Sequence, residues 1–260
     1  MSKIIRSKKL FIFDLDGTLT ESKSTISPRM AELLSALLGD KKVAIISGGK
    51  FGQFRKQILA GNKISKSTLK NLSSFPTNST SHYSYKNNQW IKIYEEKLSR
   101  KEISTILGSL KELQASPLYN KPQRIYGKII ENRGTQITFS ATGQFAPLNI
   151  KMKWNKLSDL RPAYIGFLKK KLKNFAIKSA GLTSIDINRK GIDKSYGIKK
   201  ILKELKIDKR SAVYVGDAFY RGGNDVPARK AGIDCLPVSG PKDTEKIIIS
   251  ALNQPIATRK

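Results

Sequence analysis

The stretch FIFDLDGTLT, residues 11–20, decides how this sequence is interpreted. An apolar run ends in two carboxylates, Asp14 and Asp16, which are separated by one residue and followed by Gly-Thr-Leu-Thr. Burial makes a charged carboxylate costly, so two of them at the end of an apolar run require a compensating charge nearby. The stretch therefore predicts a buried strand that ends at a site of chemistry.

Further apolar strands along the chain end in polar residues in the same way. Val43–Ile46 is unbroken in its apolarity, which is typical of a parallel strand buried on both faces, and it ends at Ser47. Ala212–Val215 runs towards Asp217. The carboxyl ends of parallel strands share one edge of a sheet, so we expect Asp14, Ser47 and Asp217 to meet there.

The arrangement of strands and helices changes twice along the chain. Strands alternate with helices of 3.6-residue period at both ends, whereas the middle contains hairpins and two helices. We therefore predict the α/β class: a doubly wound, Rossmann-like parallel sheet from residues 1–78 and 188–260, with an inserted α+β domain over residues 79–187. Asn87-Asn88 predicts a hairpin turn in the insertion, and we expect His82 to be a surface or turn residue.

The composition narrows the classes of function. One cysteine, Cys235, excludes an internal disulfide, and a single histidine disfavours a zinc site or a Ser-His-Asp triad. The chain has 49 Lys and Arg against 20 Asp and Glu, a net charge of +29. Such an excess attracts polyanions, but the lysines are scattered and no RNA-binding signature is present, so we favour a solvated surface over nucleic-acid binding.

The apolar runs are too short to span a membrane. The longest, such as Val43–Ile46 and Ile247–Ile249, have the length of strands. The basic start MSKIIRSKKL has no separate apolar segment or cleavage site, so we expect no signal peptide, no membrane contact and a cytoplasmic protein.

Carboxylates gathered at one sheet edge would repel one another unless a cation joined them. Oxygen ligands without histidine or cysteine favour Mg²⁺. Asp14 at the end of the strand can then attack phosphorus and form an aspartyl-phosphate, while Asp16 donates and later accepts a proton. Gly17 allows a sharp turn, and Thr18 offers a hydroxyl and an N–H group to phosphoryl oxygens. Ser47 and Lys194, which begins a helix, add donors for a phosphate.

At this point the residues resemble a known family, the haloacid-dehalogenase-like (HAD) phosphotransferases. Its motifs occur in order as DLDGTLT (14–20), Ser47 in ISGG, Lys194 in GIDK and GDAFYRGGND (216–225). The resemblance implies that Asp14 is the nucleophile and Asp16 the acid/base. It implies phosphate binding by Thr18, Ser47, Gly48 and Lys194, and Mg²⁺ binding by Asp14, the Asp16 carbonyl and Asp217, with Asn224 and Asp225 completing or supporting the shell.

The insertion lies between the second and third motifs, which resembles the type IIB group, whose α+β cap covers the active site. In detail it is similar to eukaryotic-type phosphomannomutases, through SIDINRKGIDK (184–194) and the cap stretch ENRGTQITFSATGQ (131–144). In that family the cap stretch binds the distal phosphate of the substrate. Arg133 matches, but Gln144 and Lys151 replace two of the expected arginines. The implied substrate-binding residues are Arg133, Gln144, Lys151, Ser184 and Asp186.

Three functions stay open. The first is a Mg²⁺-dependent phosphatase acting on a hexose phosphate; Gln144 favours it, because glutamine brings no charge to a second phosphate. The second is a phosphomannomutase that interconverts mannose 6-phosphate and mannose 1-phosphate. The third is a polyanion-binding protein on an inactive fold. The resemblance also implies a homodimer formed through the cap.

Overall fold

The structure is a computed structural model that describes residues 2–61 and 64–252. The chain divides into two compact units, which we call unit 1 (residues 1–95 and 193–260) and unit 2 (residues 96–192). The sequence placed the boundaries after residues 78 and 187. The structure places them after residues 95 and 192, and the strand pairing described below explains the first of these shifts.

The strands of unit 1 come before and after those of unit 2 along the chain. In chain order they are β1 Leu10–Asp14, β2 Lys42–Ile46, β3 Leu72–Phe75, β4 Ser81–Lys86, β5 Gln89–Glu95, β6 Ile130–Asn132, β7 Ile137–Ser140, β8 Phe175–Ala180, β9 Ser184–Arg189, β10 Ala212–Gly216 and β11 Asp234–Pro237.

The helices range from single turns to four turns. In chain order they are α1 Ser2–Arg6, α2 Pro28–Asp40, α3 Phe51–Phe54, α4 Pro76–Ser79, α5 Arg100–Ala115, α6 Leu148–Ser158, α7 Arg161–Lys171, α8 Lys194–Leu205 and α9 Pro241–Ala251. A π-helical segment, Arg55–Leu59, continues α3 directly.

Unit 1 contains a seven-stranded sheet in the order β11-β10-β1-β2-β3-β4-β5. The first five strands in this order are parallel. The order reverses between β10 and β1, and ligands of open α/β sheets bind at such a reversal, beyond the carboxyl ends of the strands. Asp14 ends β1, so the fold places the predicted nucleophile at this point.

The apolar runs become strands that are buried on both faces, as predicted. Along β1, Phe11 and Phe13 pack on one face of the sheet, and Leu10 and Ile12 pack on the other; all four are fully buried. Complete burial on both sides forms the rigid support that holds the end of β1 in one place.

The hairpin β4–β5 belongs to the sheet of unit 1, so its assignment to the insertion was wrong. The turn itself is confirmed, since Asn87 and Asn88 both have positive φ, 50° and 61°. However, β4 pairs antiparallel with β3 through Ser73 and Ser74, which extends the core sheet to residue 95. The strand β3 reads LSSF, and its serines concealed it in the sequence because they break the apolar pattern.

The expectation of an exposed or turn position for His82 was also wrong. His82 lies in β4 and is only 5% exposed, with its ring stacked on Phe75 at a centroid distance of 4.2 Å. Neither ring nitrogen has a hydrogen-bond partner among the described residues. Burial lowers the pKa of His82 to about 4, and the charge of Lys86 acts in the same direction.

Unit 2 contains an antiparallel sheet in the order β6-β7-β9-β8. One face carries Ile137, Phe139, Ile185 and Ile187, which pack into an apolar cluster with residues of α5 and α7. The opposite face carries Thr138, Ser140, Ser184 and Asp186, since side chains alternate along a strand. The sequence missed β8 and α6. A capping box of Ser99 and Glu102 starts α5 at Arg100.

Within the described residues, no helix is both long and apolar enough to cross a membrane.

Candidate active site

A group of carboxylates lies at the carboxyl ends of β1 and β10. Asp14, Asp217 and Asp225 each offer an oxygen atom, and these atoms lie within 4.8 Å of one another. Asp14 and Asp225 are buried, with 6% and 0% exposure, whereas Asp217 is partly exposed. We call these three residues the carboxylate group. The structure thus brings together three of the predicted metal-binding side chains.

Lys194 neutralises part of this charge from the first turn of α8. Its Nζ donates a hydrogen bond to Asp14 Oδ1 at 2.5 Å and lies 3.6 Å from Asp225 Oδ1. The side chain is only 1% exposed. An ion pair this deeply buried is strongly favoured once both charges are present, and removing either partner leaves the other uncompensated.

Burial and mutual repulsion shift the pKa values of this site. Burial raises the pKa of Asp14 to about 6, which the charge of Asp225 reinforces and Lys194 opposes. Burial raises the pKa of Asp217 as well. Burial alone would lower the pKa of Lys194, but the charges of Asp14 and Asp225 raise it above its usual range. Lys194 therefore stays protonated and contributes one positive charge beside the carboxylates.

Asp225 is held by neutral donors in addition to Lys194. The Tyr214 hydroxyl donates to Asp225 Oδ1 at 2.5 Å, and the backbone N–H of Ala218 donates to Oδ2 at 2.9 Å. With both oxygens bonded and no exposure, Asp225 is better suited to orient Lys194 and support the site than to contact a substrate.

Gly17 and Thr18 bring the first motif against Asp217. The Thr18 hydroxyl donates to Asp217 Oδ1 at 3.2 Å. Gly17 has a φ of +80°, and a Cβ at this position would overlap the Asp217 carboxylate. The turn predicted at Gly17 therefore depends on glycine both for its backbone conformation and for the space beside Asp217.

The other predicted residues of unit 1 lie around this group. Ser47 is buried and directly follows Ile46, which pairs with Asp14 across the sheet. Gly48 and Asn224 are both exposed.

Asp16 lies apart from the carboxylate group, in a set of contacts that the sequence did not predict. Gln53 Nε2 donates to Asp16 Oδ2 at 2.8 Å, and Gln57 Nε2 donates to Asp16 Oδ1 at 2.9 Å. The backbone N–H of Lys23 donates to Asp16 Oδ1 at 2.7 Å. The available signal was the pair of glutamines four residues apart on the helix after ISGG, a spacing that places both on one face.

The carboxylate group fits a divalent cation. Its donors are all oxygen, which matches hard cations such as Mg²⁺. When all three carboxylates are ionised, the ammonium of Lys194 balances one of their charges and leaves two. Two uncompensated negative charges at a largely buried site are what a divalent cation would balance.

The polar face of the sheet in unit 2 brings together several of the residues predicted to bind substrate. The Thr138 hydroxyl donates to Asp186 Oδ1 at 2.7 Å, and the hydroxyls of Ser140 and Ser184 lie 2.9 Å apart. Burial raises the pKa of Asp186, while the Thr138 hydrogen bond and then the charge of Arg133 oppose the shift. The face is therefore polar, and much of it is buried.

Arg133 and Lys151 sit in different parts of unit 2. Arg133 donates to Glu131 Oε2 at 3.0 Å, so its guanidinium already has an acidic neighbour. Lys151 lies in α6, and its Nζ donates to the backbone carbonyl of Gln144 at 3.3 Å. Gln144 itself is half-buried.

A family model described as haloacid dehalogenase-like hydrolase matches residues 11–227. The chain belongs to this family. The match spans both units and includes β1 from its second residue, the carboxylate group and Lys194. The predicted HAD resemblance and α/β fold class are thereby confirmed, as is the prediction of an enzyme.

Curated relatives match almost the whole chain. A phosphomannomutase of Encephalitozoon cuniculi is 24% identical over 257 residues, which cover 95% of this chain and 94% of that protein. A probable phosphomannomutase of Caenorhabditis elegans is 24% identical over 266 residues, with coverage of 98% and 99%.

Solved structures share the fold of this HAD chain. A C-terminally truncated Plasmodium falciparum IMP-nucleotidase has a TM-score of 0.70 at 20% identity and covers 96% of this chain and 72% of that one. An Aspergillus fumigatus trehalose-6-phosphate phosphatase has a TM-score of 0.59 at 16% identity, with coverage of 97% and 96%.

Proposed function

We propose that this protein is a Mg²⁺-dependent phosphatase that hydrolyses a hexose phosphate through an aspartyl-phosphate on Asp14. The proposal rests chiefly on one observation: the ion pair of Asp14 and Lys194 in a carboxylate group at the reversal of strand order. A carboxylate at this position is a nucleophile held in place by a rigid strand. The adjacent ammonium reduces its repulsion from an incoming phosphate dianion.

Each side chain then has a defined task. Asp14 attacks phosphorus, the bond to the leaving oxygen breaks, and Asp16 gives that oxygen a proton. Asp16 next takes a proton from water, which attacks phosphorus and releases Asp14. Lys194, Thr18, Ser47 and the backbone at Gly48 bind the phosphoryl oxygens.

Asp14, the Asp16 carbonyl and Asp217 would hold Mg²⁺, with Asp225 and Asn224 completing or supporting its shell. The ion supplies positive charge to the phosphoryl group and the nucleophile. The polar face of unit 2, with Arg133, Ser184 and Asp186, binds the part of the substrate that does not react.

The choice of water as the acceptor rests on the residues of unit 2. A mutase must also bind its substrate by the distal phosphate, which requires positive charge. Gln144 is uncharged, Lys151 contacts the carbonyl of Gln144, and Arg133 is paired with Glu131. A charge-assisted hydrogen bond is worth roughly 1.5–3 kcal/mol, so one missing arginine weakens binding of a second phosphate by about tenfold to a hundredfold.

The second candidate is a phosphomannomutase, favoured by the relatives that match nearly the whole chain. It shares every step up to the aspartyl-phosphate and differs in the acceptor, which is a sugar hydroxyl. Homodimer formation remains a prediction of either function.

The test is an assay with mannose 1-phosphate, Mg²⁺ and a catalytic amount of hexose 1,6-bisphosphate, in which mannose 6-phosphate and free phosphate are both measured. The phosphatase releases free phosphate with little isomer. Isomer without free phosphate establishes the mutase instead. Gln144→Arg serves as the matched variant, because it restores the charge that the phosphatase proposal regards as missing and should increase the ratio of isomer to phosphate.

A further inference from the structure

The side chain of Asp16 accepts hydrogen bonds from α3 and the π-helical segment that continues it. The sequence did not predict these contacts. The two carboxylate oxygens of Asp16 accept hydrogen bonds from Gln53, Gln57 and the backbone of Lys23, at 2.7–2.9 Å. Both glutamines donate through Nε2, so an amide nitrogen faces each oxygen of the carboxylate. Amides bring no net charge, so they fix the direction of the carboxylate without neutralising it.

Gln57 is itself held in place by contacts other than the one with Asp16. Gln57 is 2% exposed, and its Nε2 also contacts Thr20 Oγ1 and the Ser24 carbonyl, each at 3.0 Å. Its own backbone carbonyl accepts the N–H of Ile26 at 2.9 Å. The helix is therefore joined to the loop after the first motif at several points around Asp16.

Two features of the backbone near Gln53 affect the position of the glutamine side chains. A Cβ at Gly49 would overlap the Gln53 amide, so glycine there leaves the space that this amide occupies. Between Gln53 and Gln57 the helix changes from α to π, and π-helical turns are frequent at functional sites because they redirect side chains.

We propose that Gln53 and Gln57 are the positioning residues of Asp16, which hold the acid/base carboxylate in the orientation needed for proton transfer. This inference rests on the proposed function, because it takes Asp16 as the proton donor to the leaving oxygen. The opposing interpretation is that the glutamines only attach the loop to the helix and affect stability alone.

The experiment compares two esters that differ in their need for a proton donor: 4-nitrophenyl phosphate, with a good leaving group, and a hexose 6-phosphate, with a poor one. Proton transfer contributes at least about a hundredfold where it is needed. We expect Gln53→Leu with Gln57→Leu to lower kcat for the hexose phosphate by about tenfold to a hundredfold. The loss for 4-nitrophenyl phosphate should stay below about threefold, because that leaving group departs without a proton. Exposed Gln89→Leu is the matched control and should change neither rate.

A double-mutant cycle with Asp16→Asn identifies the route of the effect. Residues that act through Asp16 lose their influence once its carboxylate is gone, so the glutamine substitutions should leave the residual rate of Asp16→Asn unchanged. Equal losses for both esters, or losses that multiply with that of Asp16→Asn, would overturn the proposal.

Inactivity of the wild type towards both esters would count against the proposed function, and a crystal structure of the Gln53→Leu, Gln57→Leu variant then decides the positioning role. A displaced or multiply oriented Asp16 side chain supports it. An Asp16 side chain in its original single orientation contradicts it.

Discussion

At the scale of single residues, the site depends on how buried charges are compensated. Lys194 provides most of this compensation, because it is almost fully buried, contacts Asp14 and lies near Asp225. The motifs in the sequence predicted that these side chains meet, and the structure brings Asp14, Lys194, Asp217 and Asp225 together. The sequence did not predict the difference in burial, by which Asp225 is fully buried and Asp217 is partly exposed.

Lys194→Met leaves two buried carboxylates without their ammonium. We expect the free energy of unfolding to fall by about 3 kcal/mol in the absence of metal, because an uncompensated buried charge remains. Urea denaturation measures the change. Lys199→Met, on an exposed position of the same helix, is the control and should cost less than about 0.5 kcal/mol. Equal values for the two variants would contradict the role given to Lys194.

His82 predicts a pH dependence of stability. Its pKa falls from 6.5 to about 4 on folding, so the unfolded chain binds more protons than the folded one between these values. Stability should therefore decrease as pH falls from 6.5 to 4, by at most about 3 kcal/mol from this group. The difference between wild type and His82→Phe isolates it, because titrations common to both proteins cancel. A constant difference across this range would show that His82 does not titrate as expected.

At the scale of elements, the strands and the turns after them determine the geometry of the site. Parallel strands buried on both faces were predictable from their apolar runs, and the sheet edge follows from them. β3 and the place of the β4–β5 hairpin were not predictable, because serines in LSSF hide a buried strand. The sequence does show two glutamines four residues apart, but the contacts of Gln53 and Gln57 with Asp16 were not predicted, because no sequence pattern marks the π-helical segment that contains Gln57.

The turn after β1 makes the sharpest prediction at this scale. In Gly17→Ala the positive φ costs roughly 1–2 kcal/mol, and the new methyl group displaces the Asp217 carboxylate. We expect lower stability together with weaker Mg²⁺ dependence of activity, measured by metal titration. Gly39→Ala is the control, since a Cβ there meets nothing within 4 Å. Unchanged metal titration in Gly17→Ala would contradict the assignment of Asp217 as a ligand.

In the whole molecule, the two units have different parts in the proposed function. Unit 1 carries the residues to which we assign phosphoryl transfer, and the family model confirms the fold that holds them. Unit 2 has a polar sheet face, and the substrate that we propose for it depends on individual side chains of unit 2 such as Gln144. The fold class could be predicted from apolar periodicity and ordered motifs. The acceptor could not, because water and a sugar hydroxyl require the same residues in unit 1.

The net charge of +29 predicts that the rate of substrate binding depends on salt. A phosphate dianion is drawn to a cationic protein, and salt screens this attraction over about 8 Å at physiological ionic strength. We expect added salt to lower kcat/KM for a hexose phosphate while kcat stays constant, since chemistry follows binding. Steady-state kinetics over a salt series tests this, and a decrease in kcat alone would contradict it.

Detection of the aspartyl-phosphate tests most directly whether Asp14 is the nucleophile. Wild type is mixed with phosphate-labelled substrate and Mg²⁺, quenched in acid and digested with pepsin at acid pH, where an acyl phosphate persists. The label should lie on a peptide that contains Asp14 and Asp16. Asp14→Asn should carry none, and Asp16→Asn should carry the label because its nucleophile is intact. Turnover by Asp14→Asn, or label that persists in that variant, would show that Asp14 is not the nucleophile.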